Sequence, residues 1–367
     1  MPLRTLTGKH ADPRKGRGAG VNPEGRFEQV GREGYDDGWE SAAQDEERAL
    51  KTIVTDERAK SIIARNDSPD IPFTQSINPY QGCEHGCIYC YARPSHAYRN
   101  LSPGIDFETR IFAKINAPEL LRKELSKPGY KCELIALGAN TDPYQPAERS
   151  RGITRGILEV CAEFNQPVGI VTKNALLERD IDILGPMAAK GLAEVFVSVT
   201  TLDHELARRM EPRCTAPVRR LQAVRALADA GIPAGVMVAP VVPFLNDHEI
   251  EAIVAAAAEH GAQRSAYILM RLPFEVKTLF REWLERHYPL KAAHVMSRVQ
   301  AMRGGRDNDP EFGSRMRGDG EFAQILARRF EIACKKAGLN QARRGEGMQR
   351  DTSQFRVPGG GVQGRLF

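Results

Sequence analysis

The chain has 367 residues, of which 41% are apolar and 27% charged, as expected of a globular protein with one large domain or two smaller ones. No apolar run approaches the roughly 20 residues that cross a bilayer, and the N-terminus lacks the apolar core of a secretory signal. These features predict a cytoplasmic protein. The net charge is +5, and residues 277–367 carry 18 basic and 10 acidic side chains. That basic part suits contact with phosphate groups, although an ordinary solvated surface has the same composition.

The N-terminal half of the chain begins with an arm and continues into alternating elements. Residues 1–45 are rich in Gly, Arg, Asp and Glu without periodicity, which predicts a flexible polar arm, and a short helix is expected from there to Asn66. In the core, residues 46–275, apolar strands alternate with amphipathic helices about every 30 residues, the spacing of a βα repeat. The predicted strands are "CELIALGA", "PVGIVTK", "AEVFVSVTT", "PAGVMVAPV" and "SAYILMRLP". Their near-continuous apolar character predicts a parallel sheet covered on both faces, either open or closed into a barrel.

After residue 275 the pattern becomes helical. Residues 276–345 form a predicted basic helical extension, and residues 346–367 a flexible tail. Helix N-termini are marked in the core by capping-box spacings, Asn116 with Glu119 and Asn246 with Glu249. In both parallel α/β architectures ligands bind at the carboxyl ends of the strands. The polar residues there are therefore the candidate binding residues: Asn140, Thr141, Asp142, Lys173, Ser198 and Thr200.

The segment "NPYQGCEHGCIYCY" contains a cluster of cysteines, because Cys83, Cys87 and Cys90 have C-x3-C-x2-C spacing. Bunched cysteines in a cytosolic protein more often bind metal or react than form a disulfide framework. A structural zinc site needs four ligands, and His85 or His96 could complete a Cys3His site. The Cys87–Cys90 spacing also suits a redox pair, but no thioredoxin-like strand precedes it. The four remaining cysteines make no second pair: Cys132, Cys161, Cys214 and Cys334.

Iron is the third alternative, because a four-iron cubane normally takes four thiolates and three would leave one iron open. Such a loop ahead of βα units resembles the signature of the radical S-adenosylmethionine (SAM) superfamily. The resemblance implies a partial (β/α)6 TIM-type barrel and a [4Fe–4S] cluster on Cys83, Cys87 and Cys90. It also implies that SAM chelates the fourth iron, with Tyr89 beside its adenine. The reduced cluster would split SAM into methionine and a 5′-deoxyadenosyl radical that abstracts hydrogen.

Other segments resemble the spore photoproduct lyase-like branch of that superfamily, over roughly residues 70–245. "CIYCYA" has the tyrosine that follows the third cysteine. "GIVTKN" resembles the third strand of the branch, which implies that Lys173 pairs with the SAM carboxylate. "FVSVTT" resembles the fourth, which implies that Ser198 contacts the methionine part of SAM, and Thr200 shares its face. The blander alternatives are a solvated lysine and hydroxyls bonded to backbone. "MEPR" and "AGIPAGVMVAP" resemble the segments that follow.

Two departures from the branch bear on the reaction. "GANTDPYQPAE" occupies the place of the loop that binds the SAM amino group, without the usual Gly-Gly-Glu. Asn140, Thr141 and Asp142 offer acceptors instead, or form a plain Asp-Pro turn. The cysteine that returns hydrogen in spore photoproduct lyase is absent from "LGANTD", so repair of that lesion is not expected. Tyr91 matches the radical-relay tyrosine, and it either serves another donor or lines the site.

The sequence also suggests partners. The chain ends "VPGGGVQGRLF", in which Gln363, Leu366 and Phe367 resemble the peptide that docks on bacterial sliding clamps. The expected partners are thus DNA, the clamp, and an electron donor such as a flavodoxin or ferredoxin. The competing hypothesis is a non-catalytic nucleic-acid-binding protein with a structural Cys3His zinc site.

Overall fold

The computed structural model describes residues 16–27, 50–341 and 351–359. Its larger sheet has seven strands in the order β2-β3-β6-β7-β8-β9-β10, and the last six of these run parallel in chain order. A second sheet has the order β1-β5-β4. The strands are β1 Ile53–Glu57, β2 Ala64–Arg65, β3 Gln75–Ile77, β4 Tyr80–Gln81, β5 Arg110–Lys114, β6 Ile135–Leu137, β7 Val168–Thr172, β8 Ala193–Ser198, β9 Ala234–Val241 and β10 Arg264–Leu269.

Helices separate the parallel strands, as in a partial (β/α)6 TIM-type barrel. The α-helices are α1 Ile105–Thr109, α2 Ala117–Leu125, α3 Glu148–Arg151, α4 Ile153–Phe164, α5 Ile181–Ala189, α6 His204–Met210, α7 Pro217–Asp229, α8 Ile250–Glu259, α9 Val276–His287, α10 Pro289–Ala301 and α11 Gly320–Lys336. Short 3-10 helices cover Arg93–Arg99, Ala175–Asp180 and Asp247–Glu249. All six residues of β8 are buried, because helices cover one face of the sheet and side chains fill the barrel on the other. The predicted fold class is confirmed.

The five predicted strands all form, but the first barrel strand, β3, was not anticipated. It has only three residues, "QSI", and owes its place to parallel pairing with β6. The helix expected between residue 46 and Asn66 is wrong where the structure describes that stretch. Residues 53–57 form β1 instead, which pairs with β5, more than fifty residues away along the chain. Such a distant partner leaves no local pattern in the sequence.

Asn116 and Asn246 stand directly before a helix, as the capping boxes predict, but neither side chain caps that helix. The side chain of Asn116 accepts a hydrogen bond from Ala59 N at 2.8 Å and donates one to Ala59 O at 3.0 Å. Asn246 likewise accepts from Val242 N and donates to the carbonyls of Thr200 and Pro240. Each asparagine therefore anchors a neighbouring segment rather than a helix end.

Both chain ends contact the barrel where they are described. The amides of Gly18 and Ala19 donate to the Glu108 carboxylate at 3.0 and 2.8 Å. Near the other end, the Phe355 ring lies 5.4 Å from that of Tyr130 and 6.2 Å from that of Phe164. Gly18, Ala19 and Phe355 therefore contact the fold, while seven of the nine residues 351–359 are exposed. The flexible arm and tail stay predictions. The remaining residues of both segments, with Gln363, Leu366 and Phe367, lie outside the described residues.

The predicted C-terminal helices form as α9, α10 and α11. Helices α9 and α10 share an apolar cluster with the cysteine loop, residues 82–92, and the Trp283 indole N–H donates to the Arg209 carbonyl at 3.1 Å. These two helices therefore buttress the loop from one side. Among the described helices, none is both long and apolar enough to span a membrane.

Candidate functional site

The cysteine loop carries the three predicted metal ligands. Cys83 and Cys87 are buried and Cys90 is half-buried, and all three are free thiols. The loop enters through Gly82, whose φ is +80°, and a Cβ there would lie 2.9 Å from the Arg110 carbonyl oxygen. Only glycine fits such a turn without strain. Cys83 N donates to Phe107 O at 2.9 Å, which ties the loop to the end of α1.

Arg93 fixes the backbone of this loop from beneath, although sequence reasoning did not single it out. Its fully buried guanidinium donates to the carbonyls of Cys87 and Gly86 at 2.9 and 3.1 Å. It also pairs with the Glu108 carboxylate at 2.5 Å, and neither side chain is exposed. A buried ion pair is tolerated when its remaining donors and acceptors are satisfied, as they are here. These contacts fix the shape of the loop backbone.

Asp142, a predicted SAM ligand, is used within the chain. Its carboxylate accepts from Thr172 Oγ1 at 2.7 Å, from Lys173 N at 2.8 Å and from Tyr144 N at 2.9 Å, and His85 Nδ1 lies 3.3 Å away. Burial would raise the pKa of Asp142, but the His85 cation and the hydrogen bonds outweigh it and lower that pKa. Asp142 thus connects the loop after β6 to β7 and to the cysteine loop.

The two residues before it are placed differently from each other. The Thr141 hydroxyl is buried and donates to the Tyr80 carbonyl at 2.7 Å. Asn140 is half-buried, and its backbone N–H donates to the Asn78 side chain at 3.0 Å while its side chain lines a cavity described below. Binding of the SAM amino group by these residues stays a prediction, and Asn140 has the most accessible side chain for it.

Glu211 organises the opposite side of the site and was not predicted as a site residue. Its buried carboxylate accepts from Thr200 Oγ1 at 2.6 Å, from the Tyr89 hydroxyl, and from Arg220 at 2.5 Å. Burial would raise the pKa of Glu211, but the cations Arg220 and Lys173 lower it overall. The one available signal was its place in "MEPR". Glu211 therefore holds Tyr89 and Thr200 together at the carboxyl end of β8.

Lys173 lies between this carboxylate and the cysteine loop. Its Nζ is 5.8 Å from the centre of the Tyr89 ring. Burial would lower the pKa of Lys173, but Glu211 and the nearby thiols outweigh it, so the pKa is raised and the amine stays protonated. Beside it, Ser198 is buried at the end of β8, and its hydroxyl forms no hydrogen bond with the described residues. Lys173 and Ser198 thus keep binding capacity at the sites predicted for them.

Tyr91 faces a separate cavity of about 240 Å³ at the same end of the barrel. It is 46% exposed, and its hydroxyl donates to the Ala139 carbonyl. The Arg271 guanidinium lies 5.7 Å from the Tyr91 ring, and that of Arg26 lies 3.8 Å from the Phe274 ring. Two buried polar atoms on this wall, Arg271 Nε and Ser95 Oγ, have no hydrogen-bond partner among the described residues. The cavity therefore has an exposed aromatic ring and hydrogen-bonding atoms without a partner among the described residues.

Cys214 is a fourth thiol at the site, although no other cysteine lies near it in the sequence. Its Sγ lies 3.6 Å from Cys87 Sγ. The turn that carries it is bonded to the cysteine loop on both sides of Cys87, because Arg213 N donates to His85 O at 3.2 Å and Ile88 N donates to Met210 O at 3.0 Å. Its place directly after "MEPR" was the available sequence signal.

The two histidines considered for a Cys3His zinc site make contacts of their own, while His85 also lies beside Cys83 and Nδ1 of His96 has no partner among the described residues. His85 pairs with Asp142, and its Nε2 lies 3.2 Å from Asn174 Nδ2. His96 Nε2 lies 3.0 Å from the Arg110 carbonyl oxygen, with the ring edge-on to Phe107. Across the described residues, no three His, Cys, Asp or Glu side chains are arranged to hold a single ion. A one-ion zinc site therefore finds no support in the geometry.

Known sequences match the central part of the chain. The family model described as the Radical SAM superfamily matches residues 77–257. An uncharacterized protein of Mycobacterium tuberculosis is 38% identical over 221 residues, which make up 60% of this chain and 65% of that protein. An uncharacterized protein of Methanocaldococcus jannaschii is 27% identical over 213 residues, 58% of this chain and 76% of that protein. The match thus spans less than two thirds of the mycobacterial relative.

Comparison with solved structures agrees on the fold. A cysteine-to-serine mutant of spore photoproduct lyase superposes with a TM-score of 0.58, at 16% identity, over 86% of this chain and 87% of that one. The same enzyme complexed with dinucleoside spore photoproduct gives a TM-score of 0.56, at 15% identity, over 78% and 80% of the two chains. At such identities the likeness shows a shared fold.

Proposed function

Because residues 77–257 match the model of the radical SAM superfamily, we propose that the chain is a radical SAM enzyme with a [4Fe–4S] cluster on Cys83, Cys87 and Cys90. When bound, the cluster would supply the electron that splits SAM and yields a 5′-deoxyadenosyl radical for hydrogen abstraction. The observation that supports this most is the cysteine loop, which presents three free thiols at the carboxyl end of a six-stranded barrel. Its backbone is already fixed by Arg93.

The donor set fits such a cluster. Thiolates are the usual protein ligands of iron–sulfur clusters, and a cluster spreads its ligands over several irons instead of gathering them around one ion. That agrees with three thiols on one loop that form no single-ion site in the described residues. Loss of the thiol protons would accompany loading, because metals bind the thiolate form.

The chain's own side chains would then position SAM. Lys173 is half-buried and stays protonated, which suits a carboxylate partner. The Ser198 hydroxyl has bonding capacity left at the same strand ends, and Tyr89 offers an aromatic face that Glu211 holds in place. We assign the methionine end of SAM to Lys173 and Ser198 and the adenine side to Tyr89, and Asn140 completes the contacts.

We further propose that the substrate is a nucleic acid with at least one base out of the stack. The cavity beside Tyr91 supports this, because exposed aromatic rings stack on unpaired bases and arginines bind phosphates. Tyr98 is 73% exposed at its edge, and Phe27 lies 5.3 Å from it. The resemblance to spore photoproduct lyase, which has been solved in complex with dinucleoside spore photoproduct, points the same way.

Cluster and cofactor are tested together by anaerobic reconstitution. The expected result is a brown protein that releases 5′-deoxyadenosine from SAM when reduced. Cys87→Ala should lose colour, bound iron and SAM cleavage, whereas Cys132→Ala, a half-buried cysteine away from the loop, should keep all three. Bound zinc without iron, and no SAM cleavage in the parent protein, would instead favour the non-catalytic alternative.

The substrate class is tested by binding of a single-stranded oligonucleotide at several salt concentrations. Arg271→Gln should weaken binding about tenfold and make it less sensitive to salt, because one phosphate contact is lost. Arg328→Gln removes an exposed arginine from the outer helix α11 and serves as the matched control. Equal effects of the two variants would show that only general charge is involved. Deuterium transfer from substrate to 5′-deoxyadenosine would then identify the reacting nucleotide.

The clamp and electron-donor partners remain part of the proposal. A peptide that ends in Gln363 to Phe367 should bind a sliding clamp, and its Phe367→Ala form should not, because the aromatic anchor is lost. Absence of binding by the unaltered peptide would remove this partner. Reduction by flavodoxin or ferredoxin is tested by SAM cleavage with each in turn.

A further inference from the structure

Cys87 and Cys214 form a thiol pair that the proposed function does not use. Their sulfur atoms are 3.6 Å apart, although 127 residues separate them in the chain. Both sides of the contact are fixed, because two backbone hydrogen bonds join the turn at 210–214 to the cysteine loop on either side of Cys87. Two thiols held at this distance need only a small movement to reach the roughly 2.05 Å of a disulfide bond.

The two thiols differ in access. Cys87 is only 8% exposed, whereas Cys214 is half-buried and lines a cavity of about 290 Å³. Arg149 and Arg213 stand on the wall of the same cavity. Arg149 is exposed, and its guanidinium forms no ion pair with the described residues, while Arg213 lies 3.4 Å from Glu84. The approach to Cys214 is therefore open and positively charged, which favours a small anionic reagent.

We propose that Cys87 and Cys214 are a reversible disulfide pair whose oxidant is a small anionic disulfide of the glutathione type. The Cys214 thiolate attacks one sulfur of glutathione disulfide, forms a mixed disulfide and releases the first glutathione thiol. The Cys87 thiolate then attacks the Cys214 sulfur, forms the protein disulfide and releases the second glutathione. Two protein thiols are oxidised and one glutathione disulfide is reduced to two thiols, so atoms and electrons balance.

The pair also has a consequence for the cofactor, and this part rests on the proposed function. A sulfur bonded to Cys214 cannot bind iron, so the disulfide and the cluster compete for Cys87. The oxidised form would store the cluster-free protein with its buried thiol protected from irreversible oxidation. Excess glutathione would return both thiols by the reverse exchange.

The pair is tested on the full-length, metal-free, reduced protein. It is mixed anaerobically with glutathione disulfide and quenched by alkylation, and the cysteines are mapped by mass spectrometry. The parent protein should yield a Cys87–Cys214 cross-linked peptide and lose two free thiols. Cys87→Ser should stop at the first step with one glutathione on Cys214. Cys214→Ser should react at Cys87 at least about tenfold more slowly, because the remaining thiol is buried. Cys132→Ser should behave as the parent does.

Charge in the cavity is tested with the same assay. Cystamine, a cationic disulfide, should react with the parent more slowly than glutathione disulfide, and Arg149→Gln should reduce that preference. Any one of three results would overturn the pair. The cross-links could form mainly between Cys83 and Cys90, or Cys214 could stay unmodified in Cys87→Ser. The third is a Cys214→Ser variant whose Cys87 reacts with glutathione disulfide as fast as that of the parent. Protection of Cys87 by a reconstituted cluster tests the competition separately, so a failure there would count against the cofactor proposal while leaving the metal-free result standing.

Discussion

At the scale of single residues, buried charges define the site more than its polar surface does. Glu211 is buried with hydrogen bonds to Arg220, Thr200 and Tyr89, and the protonated Lys173 lies nearby. Each of these charged side chains has a partner of opposite charge, so their burial lowers the stability of the fold only slightly while all of them are present. The loss of one partner leaves a charge in a medium that cannot solvate it.

Arg220→Met should therefore destabilise the fold strongly. The Arg220–Glu211 pair is buried on both sides, and removal of one partner from such a pair costs about 3–5 kcal/mol in the free energy of unfolding. The measurement is urea unfolding at neutral pH.

The double variant Arg220→Met with Glu211→Gln separates charge from packing. It should recover part of the loss, because no uncompensated carboxylate remains. If the double variant is less stable than Arg220→Met by the full effect of Glu211→Gln, the two side chains are energetically independent and the prediction is wrong.

A pH effect follows from His96. Burial lowers its pKa from 6.5 to about 4, so an unfolded chain binds a proton in this window that the folded chain refuses. Above pH 6.5 His96 is neutral in both states and the free energy of unfolding keeps its full value. As the pH falls towards 4, the free energy of unfolding decreases by about 3 kcal/mol, at 1.36 kcal/mol per unit of pKa shift. The glutamine of His96→Gln does not titrate. The difference in the free energy of unfolding between parent and variant should therefore decrease by about 3 kcal/mol from pH 7 to pH 4. Unfolding curves that shift in parallel would contradict this.

At the scale of elements, local patterns predicted what local forces determine. The apolar runs around β7, β8 and β9 and the amphipathic helices between them follow from periodicity, and Gly231 and Gly261 end their helices with φ of +70° and +87°. Short strands such as β1 and β3 form because a distant strand offers its edge. No window of the sequence contains that information.

The segment at 351–359 likewise contacts residues that are distant in the sequence. Phe355 packs against Tyr130 and Phe164, and Arg356 N donates to Phe164 O at 3.0 Å. Phe355→Ala should lower the free energy of unfolding by about 1–3 kcal/mol, less than for a fully buried ring. Phe312→Ala, where the ring is 58% exposed, should change it by no more than about 0.5 kcal/mol. Equal effects would mean that the segment does not contribute to the fold in solution.

At the scale of the whole molecule, three distant parts of the chain meet at the cysteine loop. Glu108 accepts from Gly18, Ala19 and Arg93, and the turn at 210–214 closes the other side. The thiols, Lys173 and Ser198 could be predicted from the sequence because motif and strand-end position mark them. Arg93 carries no such mark. Glu211 and Cys214 are marked only by the segment "MEPR", which does not show what they contact, because their partners lie up to 127 residues away.

Gly18→Val tests the N-terminal contact. A Cβ at Gly18 would lie 1.8 Å from the Gly86 carbonyl oxygen, so residues 16–20 could not keep their place beside the loop. We expect faster hydrogen exchange at the Ala19 amide and a loss of about 1–3 kcal/mol in unfolding free energy. Gly25→Ala, whose nearest neighbour would be 3.4 Å away, is the tolerated control. Unchanged exchange in Gly18→Val would argue against the contact.

The contact between Gly18 and the cysteine loop also constrains the order in which the protein can assemble on the ribosome. Residues 16–20 are synthesised first, but Gly86 and Glu108, which hold them, follow about seventy to ninety residues later. The turn with Cys214 follows about a hundred residues after that. Since translation proceeds from the N-terminus, the nascent chain passes through a stage in which the three thiols of the loop have emerged and Cys214 has not. During that stage Cys87 cannot form a disulfide with Cys214 and its thiol is free to bind iron.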